Sequence, residues 1–255
     1  MTNPELRKRV VKEISSLWHI GVQIVLVHGG GPFIQSHLDR LNIESHFVMG
    51  QRHTTQETIT EIQMVLKGQV NSDLVSLFNQ NGIKAVGLSG KDGSSVKASI
   101  LKVKVDGKET SIGQVGSVNH INTELIQTLL DSGFLPILAP IAIGPDGQDL
   151  NVNADAFAGH LAGALNATEL LVLTDIDGLL ADVNNPDTII KSLRLSDIER
   201  LRGQVIKGGM IPKVDACMTA VESGAGMARI INGQRPELIQ KLLNKDEKPG
   251  TTITR

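Results

Sequence analysis

Tyrosine is absent from this chain of 255 residues, and Trp18 stands with five phenylalanines as its whole aromatic content. That scarcity excludes a base-stacking surface for single-stranded nucleic acid and the interfacial belt of a membrane protein. Cysteine occurs once, at Cys217, so no internal disulfide forms and no cysteine cluster is available for a metal. Such usage suits a reducing compartment, and Cys217 reads as a small core residue on a helix. No apolar run reaches transmembrane length, and the polar start has no signal-peptide core, so a cytoplasmic protein with no membrane partner is expected. An excess of one charge is lacking too: 25 Lys and Arg against 27 Asp and Glu leave a net charge of −2. Without a polycationic face, nucleic acid is not an expected partner. Neither Gly-x-Gly-x-x-Gly nor a P-loop with its Gly-Lys-Ser/Thr is present.

What the chain does have is glycine placed after strands. Ile24–Gly31 reads Ile-Val-Leu-Val-His-Gly-Gly-Gly, four β-formers closed by a triple glycine, and describes a short strand buried on both faces. Pro32 to Leu38 then has apolar residues at helical spacing behind a proline at the first turn. A strand, glycine turn and helix in this order bring bare amides to the positive end of a helix, a setting for a phosphate. The same glycines equally serve a tight strand-to-helix connection.

The rest of the chain alternates in the same manner. An amphipathic helix spans Pro4 to Trp18, and a long helical stretch runs from Thr55 to Phe78 with Gly68 as a candidate kink. Strands are expected at Lys84–Leu88, Leu135–Ile143, Leu170–Leu173, Met227–Ile231 and, at an edge, Thr251–Thr254. Helices are expected at Thr123–Ser132, Ala156–Ala167, Leu195–Leu201 with Ser196 as cap, Ile211–Ser223 and Pro236–Asn244. Ser95–Val118 alternates as a β-hairpin with Asp106-Gly107 at its turn, an antiparallel flap on a mainly parallel sheet. The whole predicts a three-layer α/β/α sandwich on a mainly parallel open sheet. Two lobes are expected, 1–167 and 168–255, with the boundary near Ala167.

Ligands of open α/β sheets sit at the carboxyl ends of strands. Five stretches lie there: His28–Gly31, Ser89–Gly93, Asn151–Asp155, Thr174–Gly178 and Lys207–Lys213. Two are glycine-rich, three carry carboxylates and two carry lysines, the ingredients of a phosphoryl-transfer site.

These stretches, with Gly50-Gln51-Arg52-His53-Thr54 and Gly208-Gly209-Met210-Ile211-Pro212-Lys213, resemble the acetylglutamate kinases of the amino acid kinase superfamily, in family order along nearly the whole chain. The resemblance implies the amino acid kinase fold and transfer of the ATP γ-phosphoryl group to the side-chain carboxylate of N-acetyl-L-glutamate, in arginine synthesis. It implies that Gly29 and Gly30 donate amides to the moving group, that Arg52 clamps the substrate α-carboxylate and that Asn151 holds the same substrate. It further implies that Lys213 stabilises charge on the phosphates, that Asp155 orients the catalytic lysines, and that Thr174, Asp175, Gly209 and Met210 border the nucleotide. Asp175 and Asp177 serve equally well as turn residues. Mg²⁺ is expected with ATP, held by phosphates and water with no protein cage, and a homodimer through the amino-acid lobe is implied.

Two departures stand out. The family's first strand ends in Lys-x-Gly-Gly, and no such segment precedes the helix at Pro4, so a first strand is expected to be missing from the sheet. Either the start is set too late and a strand of about 5–6 residues precedes it, or this is a truncated, catalytically weak ligand-binding relative. The first is expected, and the reading frame upstream of Met1 decides. Gln51 and His53 replace residues usually apolar in the family, leaving a kinase for a related carboxylate, such as a carrier-linked aminoadipate, as the rival activity.

Overall fold

In the computed structural model, residues 2–105, 107–182, 185–243 and 248–255 are described, and the expected alternation of strands and helices is present over two units. One unit comprises 1–4 with 21–154 and the other 5–20 with 155–255. The chain thus passes from one to the other at Ala154/Asp155, whereas the expected lobe boundary lies near Ala167. Helix α1 (Pro4–His19) belongs to the second unit and buries Val11, Ile14 and Leu17.

Along the first unit run β1 (Leu26–Val27), α2 (Gly31–Arg40), β2 (Phe47–Val48), β3 (Gln51–Arg52), α3 (Gln56–Gln63), α4 (Ser72–Gln80), β4 (Ala85–Ser89), β5 (Val96–Val105), β6 (Lys108–Ile121), α5 (Glu124–Asp131), β7 (Leu135–Ala139), β8 (Ile141–Ile143) and β9 (Asp149–Val152). Three of these strands form a parallel sheet in the order β1-β7-β4. The strand expected over Ile24–Val27 pairs only at Leu26 and Val27 and is half-buried, because among the described residues β7 is its one neighbour. Its register, Leu26 opposite Ile137 and Val27 opposite Leu138, sets where the glycine turn begins.

The single strand expected over Leu135–Ile143 is two strands. The break falls at Pro140, with β7 fully buried in the parallel sheet and β8 in another. The hairpin of β5 and β6 is antiparallel as expected, from Val96 opposite Ile121 to Val105 opposite Lys108. It is no free flap: β8 and β9 pair with its base and close a four-stranded barrel, β5-β6-β9-β8. Asp106, of the expected Asp106-Gly107 turn, lies outside the described residues.

The long helical stretch is continuous, but between α3 and α4 residues Met64–Asn71 widen into a π-helix. Gly68, the expected kink, falls inside it. The widened turn turns Lys67 and Asn71 to the sheet, where Lys67 Nζ donates to the Gly87 carbonyl and Asn71 Nδ2 donates to the Ile137 carbonyl at 2.9 Å and to His28 Nε2 at 3.0 Å. His28, just beyond β1, is 5% exposed, and burial holds its imidazole below the usual histidine range, with the Lys67 charge acting in the same sense.

The second unit contains α6 (Ala154–Ala164, starting at the last residue of the first unit), β10 (Leu170–Thr174), β11 (Ser192–Arg194), α7 (Leu195–Leu201), α8 (Met210–Glu222), β12 (Ala228–Asn232), α9 (Glu237–Lys241) and β13 (Thr251–Thr254). Asn244, the expected end of α9, lies outside the described residues. The sheet order is β10-β12-β13-β11. The expected edge strand β13 is therefore interior: Ile253 is fully buried, with β12 antiparallel on one side and β11 parallel on the other. Arg229 of β12 reinforces that pairing, donating to Thr252 Oγ1 at 2.6 Å and to Glu169 Oε1 at 2.5 Å. Ser196 is not the cap of α7, since Arg194 occupies that place and makes no side-chain cap bond. Val172, Ile230, Val214 and Cys217 meet in one core.

Within this unit α6 lies against α8 at small residues. A Cβ on Gly159 would stand 2.5 Å from the Ala216 carbonyl oxygen, so only glycine allows this approach. Gly159→Ala is expected to destabilise the protein by about 1–3 kcal/mol as the helices part, read by urea denaturation, whereas Gly68→Ala, with open space around it, is expected to cost nothing measurable. For His28 the folded pKa lies below the unfolded value near 6.5, so the unfolded chain binds the extra proton first as pH falls. The neutral imidazole's share of stability is thus present above about pH 6.5 and is lost below it. Comparison of unfolding free energies at pH 7.5 and 5.5 is expected to show a steeper acid loss for the wild type than for His28→Leu.

Candidate active site

The glycine turn opens α2, whose N-cap is Gly30, and the first-turn amides of a helix have no intrahelical acceptor. None of the three glycines has positive φ. At Gly30 a Cβ would lie 2.5 Å from Leu66 Cδ2, so a side chain there would displace the end of Leu66. Gly29 and Gly31 are not crowded: a Cβ would meet Ala154 Cβ at an ordinary 3.7 Å in the first and nothing within 4 Å in the second. Neither backbone strain nor crowding by the chain itself accounts for these two glycines, and their bare backbone leaves room for a ligand to approach.

Arg52, on β3, is 7% exposed. Its Nη1 donates to Gln35 Oε1 at 2.7 Å and to Ser45 Oγ, and its Nη2 donates to the Gly31 carbonyl at 3.4 Å. The guanidinium also stands over the Phe47 ring, 4.6 Å from its centroid. Every one of these partners is neutral, and among the described residues Arg52 has no ion pair. Burial lowers its pKa and the more distant Asp39 charge opposes that, yet guanidinium stays protonated. A buried cation with neutral partners is a site prepared for an anion. The neighbouring open cleft of about 520 Å³ is not assigned to that anion, because Asp39 and Glu44 line it.

Asn151, on β9, reaches the same place through Thr54. Its Nδ2 donates to Thr54 Oγ1 at 3.4 Å, and that hydroxyl donates to the Arg52 carbonyl at 2.9 Å. Thr54 is itself fixed by backbone bonds to Ile112 and Gln114 of β6. The structure therefore joins the glycine turn, Arg52 and Asn151 within the first unit. His53 stacks on His46 with ring centroids 4.6 Å apart, which is how a histidine is accommodated beside Arg52.

In the second unit, Asp155 in the first turn of α6 and Lys213 in the first turn of α8 form an ion pair, Nζ to Oδ2 3.0 Å, with side chains 24% and 22% exposed. The close approach at Gly159 is what sets these two turns side by side. Gly209 caps α8 and Met210 begins it, with the Met210 and Ile211 amides taken by the Lys207 and Gly208 carbonyls at 3.1 Å each. What α8 offers at its start is therefore the ammonium of Lys213. Thr174 ends β10 and its hydroxyl donates to Asp175 Oδ1 at 3.1 Å, while Asp177 accepts from Asn232 Nδ2 at 2.9 Å. Cys217, behind the pair, is fully buried, and burial together with the Asp155 charge pushes its thiol up to about 12, against Lys213. It is a protonated core residue and no nucleophile.

Sequence reading placed His28 in a candidate stretch without a role of its own and passed over Asn71, to which it is bonded behind the glycine turn. The signal available for them was position: a histidine directly after a strand, and an asparagine on the apolar face of a helix. Among the described residues no group of three or more His, Cys, Asp or Glu is placed to hold a metal, and no helix is long and apolar enough to cross a membrane.

Residues 1–232 match the model of the amino acid kinase family. The chain is 42% identical over 254 residues to an acetylglutamate kinase of Clostridium kluyveri, covering 99% of this chain and 88% of that protein. It is 44% identical over 254 residues to an acetylglutamate kinase of Frankia alni, covering 100% and 74%. In structure it is similar to an N-acetylglutamate synthase of Neisseria gonorrhoeae solved with coenzyme A and N-acetylglutamate, with a TM-score of 0.84 over 99% of this chain and 57% of that one; at 22% identity this bears on the fold alone. With 1–232 matched by that family's model and relatives above 40% identical over nearly its whole length, this chain belongs to the amino acid kinase family.

Proposed function

We propose that this chain transfers the γ-phosphoryl group of ATP to the side-chain carboxylate of N-acetyl-L-glutamate, forming an acyl phosphate and ADP in the synthesis of arginine. A carboxylate oxygen of the substrate forms the new bond to γ-phosphorus as the bond to the β,γ-bridging oxygen breaks. The relatives named acetylglutamate kinase, above 40% identical over nearly the whole chain, support the reaction. The observation that carries the substrate is Arg52, a buried guanidinium with only neutral partners beside a glycine turn.

In this reading the first unit takes the amino acid. Arg52 binds the α-carboxylate as a planar two-pronged donor, Asn151 holds the same molecule, and the amides of Gly29 and Gly30 meet the charge that develops on the moving phosphoryl group. The second unit takes the nucleotide. Lys213 neutralises phosphate charge, Asp155 keeps that ammonium in place, and Thr174, Asp175, Gly209 and Met210 border ATP. Mg²⁺ arrives as part of the ATP substrate, held by phosphate oxygens and water. A cytoplasmic homodimer accompanies this reading.

Two substitutions separate the roles. Lys213→Ala is expected to lower kcat about a thousandfold while the melting temperature stays within a few degrees, and unchanged turnover would remove Lys213 from the site. Arg52→Gln is expected to raise KM for N-acetyl-L-glutamate at least about tenfold, the scale of one charge-assisted bond, with KM for ATP nearly unchanged. Hydroxylamine trapping of the product by the wild type tests the reaction itself: a hydroxamate formed from N-acetyl-L-glutamate and not from aminoadipate or carbamate is expected, and its absence would overturn the assignment.

A further inference from the structure

The amide that a glycine turn offers to a ligand is only as useful as its direction, and something must hold the peptide planes of such a turn. Around Gly29 and Gly30 the holding group is a side chain. His28 Nδ1 lies 3.0 Å from the Gly29 carbonyl oxygen, and its Nε2 lies 3.0 Å from Asn71 Nδ2. The same Nδ2 donates to the Ile137 carbonyl at 2.9 Å, which identifies it as the amide nitrogen and leaves His28 Nε2 as an acceptor. The proton of the imidazole is then on Nδ1, and Nδ1–H donates to the Gly29 carbonyl.

That carbonyl belongs to the Gly29–Gly30 peptide, which is trans. In a trans peptide the C=O and the next residue's N–H point in opposite directions. Drawing the Gly29 carbonyl towards His28 therefore turns the Gly30 N–H to the opposite side of that peptide, away from the His28 ring.

We infer that His28, set in its Nδ1–H form by Asn71, is a positioning residue that aims the Gly30 amide at the phosphoryl group. The inference rests on the reading, proposed above, that this turn meets the transferring group. The surroundings suit the task. Asn71 is 1% exposed and lodged where Gly87 leaves room, a Cβ there lying 2.0 Å from its Oδ1. Lys67, on the same π-helical stretch, is the charged group acting on the imidazole, and both its charge and burial favour the neutral ring that a one-donor, one-acceptor relay needs.

The test compares His28→Ala, which lacks the donor, with His28→Asn, whose amide nitrogen stands near the place of Nδ1. His28→Ala is expected to lower kcat about a hundredfold, the scale of one misdirected amide, with KM for ATP and N-acetyl-L-glutamate within about threefold, and His28→Asn is expected to recover at least a tenth of the wild-type kcat. His28→Gln, which fills the space and reaches Asn71 without a donor at the Nδ1 position, is expected to behave as alanine does, so a folding failure of His28→Ala does not remove the test. A readout independent of turnover is the Gly30 amide signal in ¹⁵N NMR on addition of MgADP, aluminium fluoride and N-acetyl-L-glutamate: a large shift in the wild type and His28→Asn, lost in His28→Gln. An equal shift in His28→Gln, a kcat within threefold of wild type, or an asparagine variant no better than alanine would each overturn the inference. A silent Gly30 amide in the wild type would overturn it through the underlying reading of the turn, and that result is separable because it needs no variant.

Discussion

Close approach without an intervening side chain is the constraint from which the chemistry of both units follows. In the first unit Gly30, the N-cap of α2, packs against the Leu66 side chain, and Gly87 leaves the room that Asn71 occupies behind the glycine turn. In the second, Gly159 lies against the backbone of α8 at Ala216, and the two helix starts that carry Asp155 and Lys213 are held in register. Interiors packed near crystal density transmit a displacement of even one methyl group. A residue one turn from a charged group can therefore decide where that group stands.

The two cations are kept in opposite electrostatic conditions. Arg52 is buried with neutral partners, which costs folding free energy that, on the proposed reaction, an incoming carboxylate offsets by pairing with it. Arginine is suited to that task because its proton is not lost on burial. Lys213 stands in the first turn of α8, at the positive end of the helix, where an ammonium is disfavoured by the dipole. Asp155 compensates it at 3.0 Å, and being partly exposed both remain free to exchange partners when an anion arrives. One site is thus poised by the absence of a counter-charge, the other by a counter-charge of moderate strength.

Much of this was legible in the sequence because it is local. The alternation of apolar runs with helical spacing gave the element types, strand ends marked Asn151, Asp155 and Lys213 as residues that gather at sites, and Arg52 came only from the family resemblance. Pairing partners were not legible, since period-two apolar runs do not say who their neighbours are. Thr251–Thr254 reads as an edge strand from its place at the end of the chain and is interior because β11 pairs with it, and β1 reads as buried on both faces while having one neighbour among the described residues. The strand breaks at Pro140 but runs through Pro136, and apolar continuity across both concealed which of them ends it. His28 and Asn71 are 43 positions apart, and only the widened helical turn brings them together.

A net charge of −2 gives this protein no long-range attraction for anionic substrates. On the proposed reaction both substrates are anions, and the transition state brings a carboxylate to a phosphoryl group. The attraction must then be local, from charges and dipoles held where water is excluded, because in such surroundings each acts far more strongly than at the surface. Amides serve this better than further lysines would in one respect. A cation at the glycine turn would bind ground-state phosphate and transition state alike, whereas directed N–H groups favour the geometry they were aimed at. That distinction places the chemical demand on the orientation of two peptide planes, and hence on the neutral imidazole and the buried amide behind them.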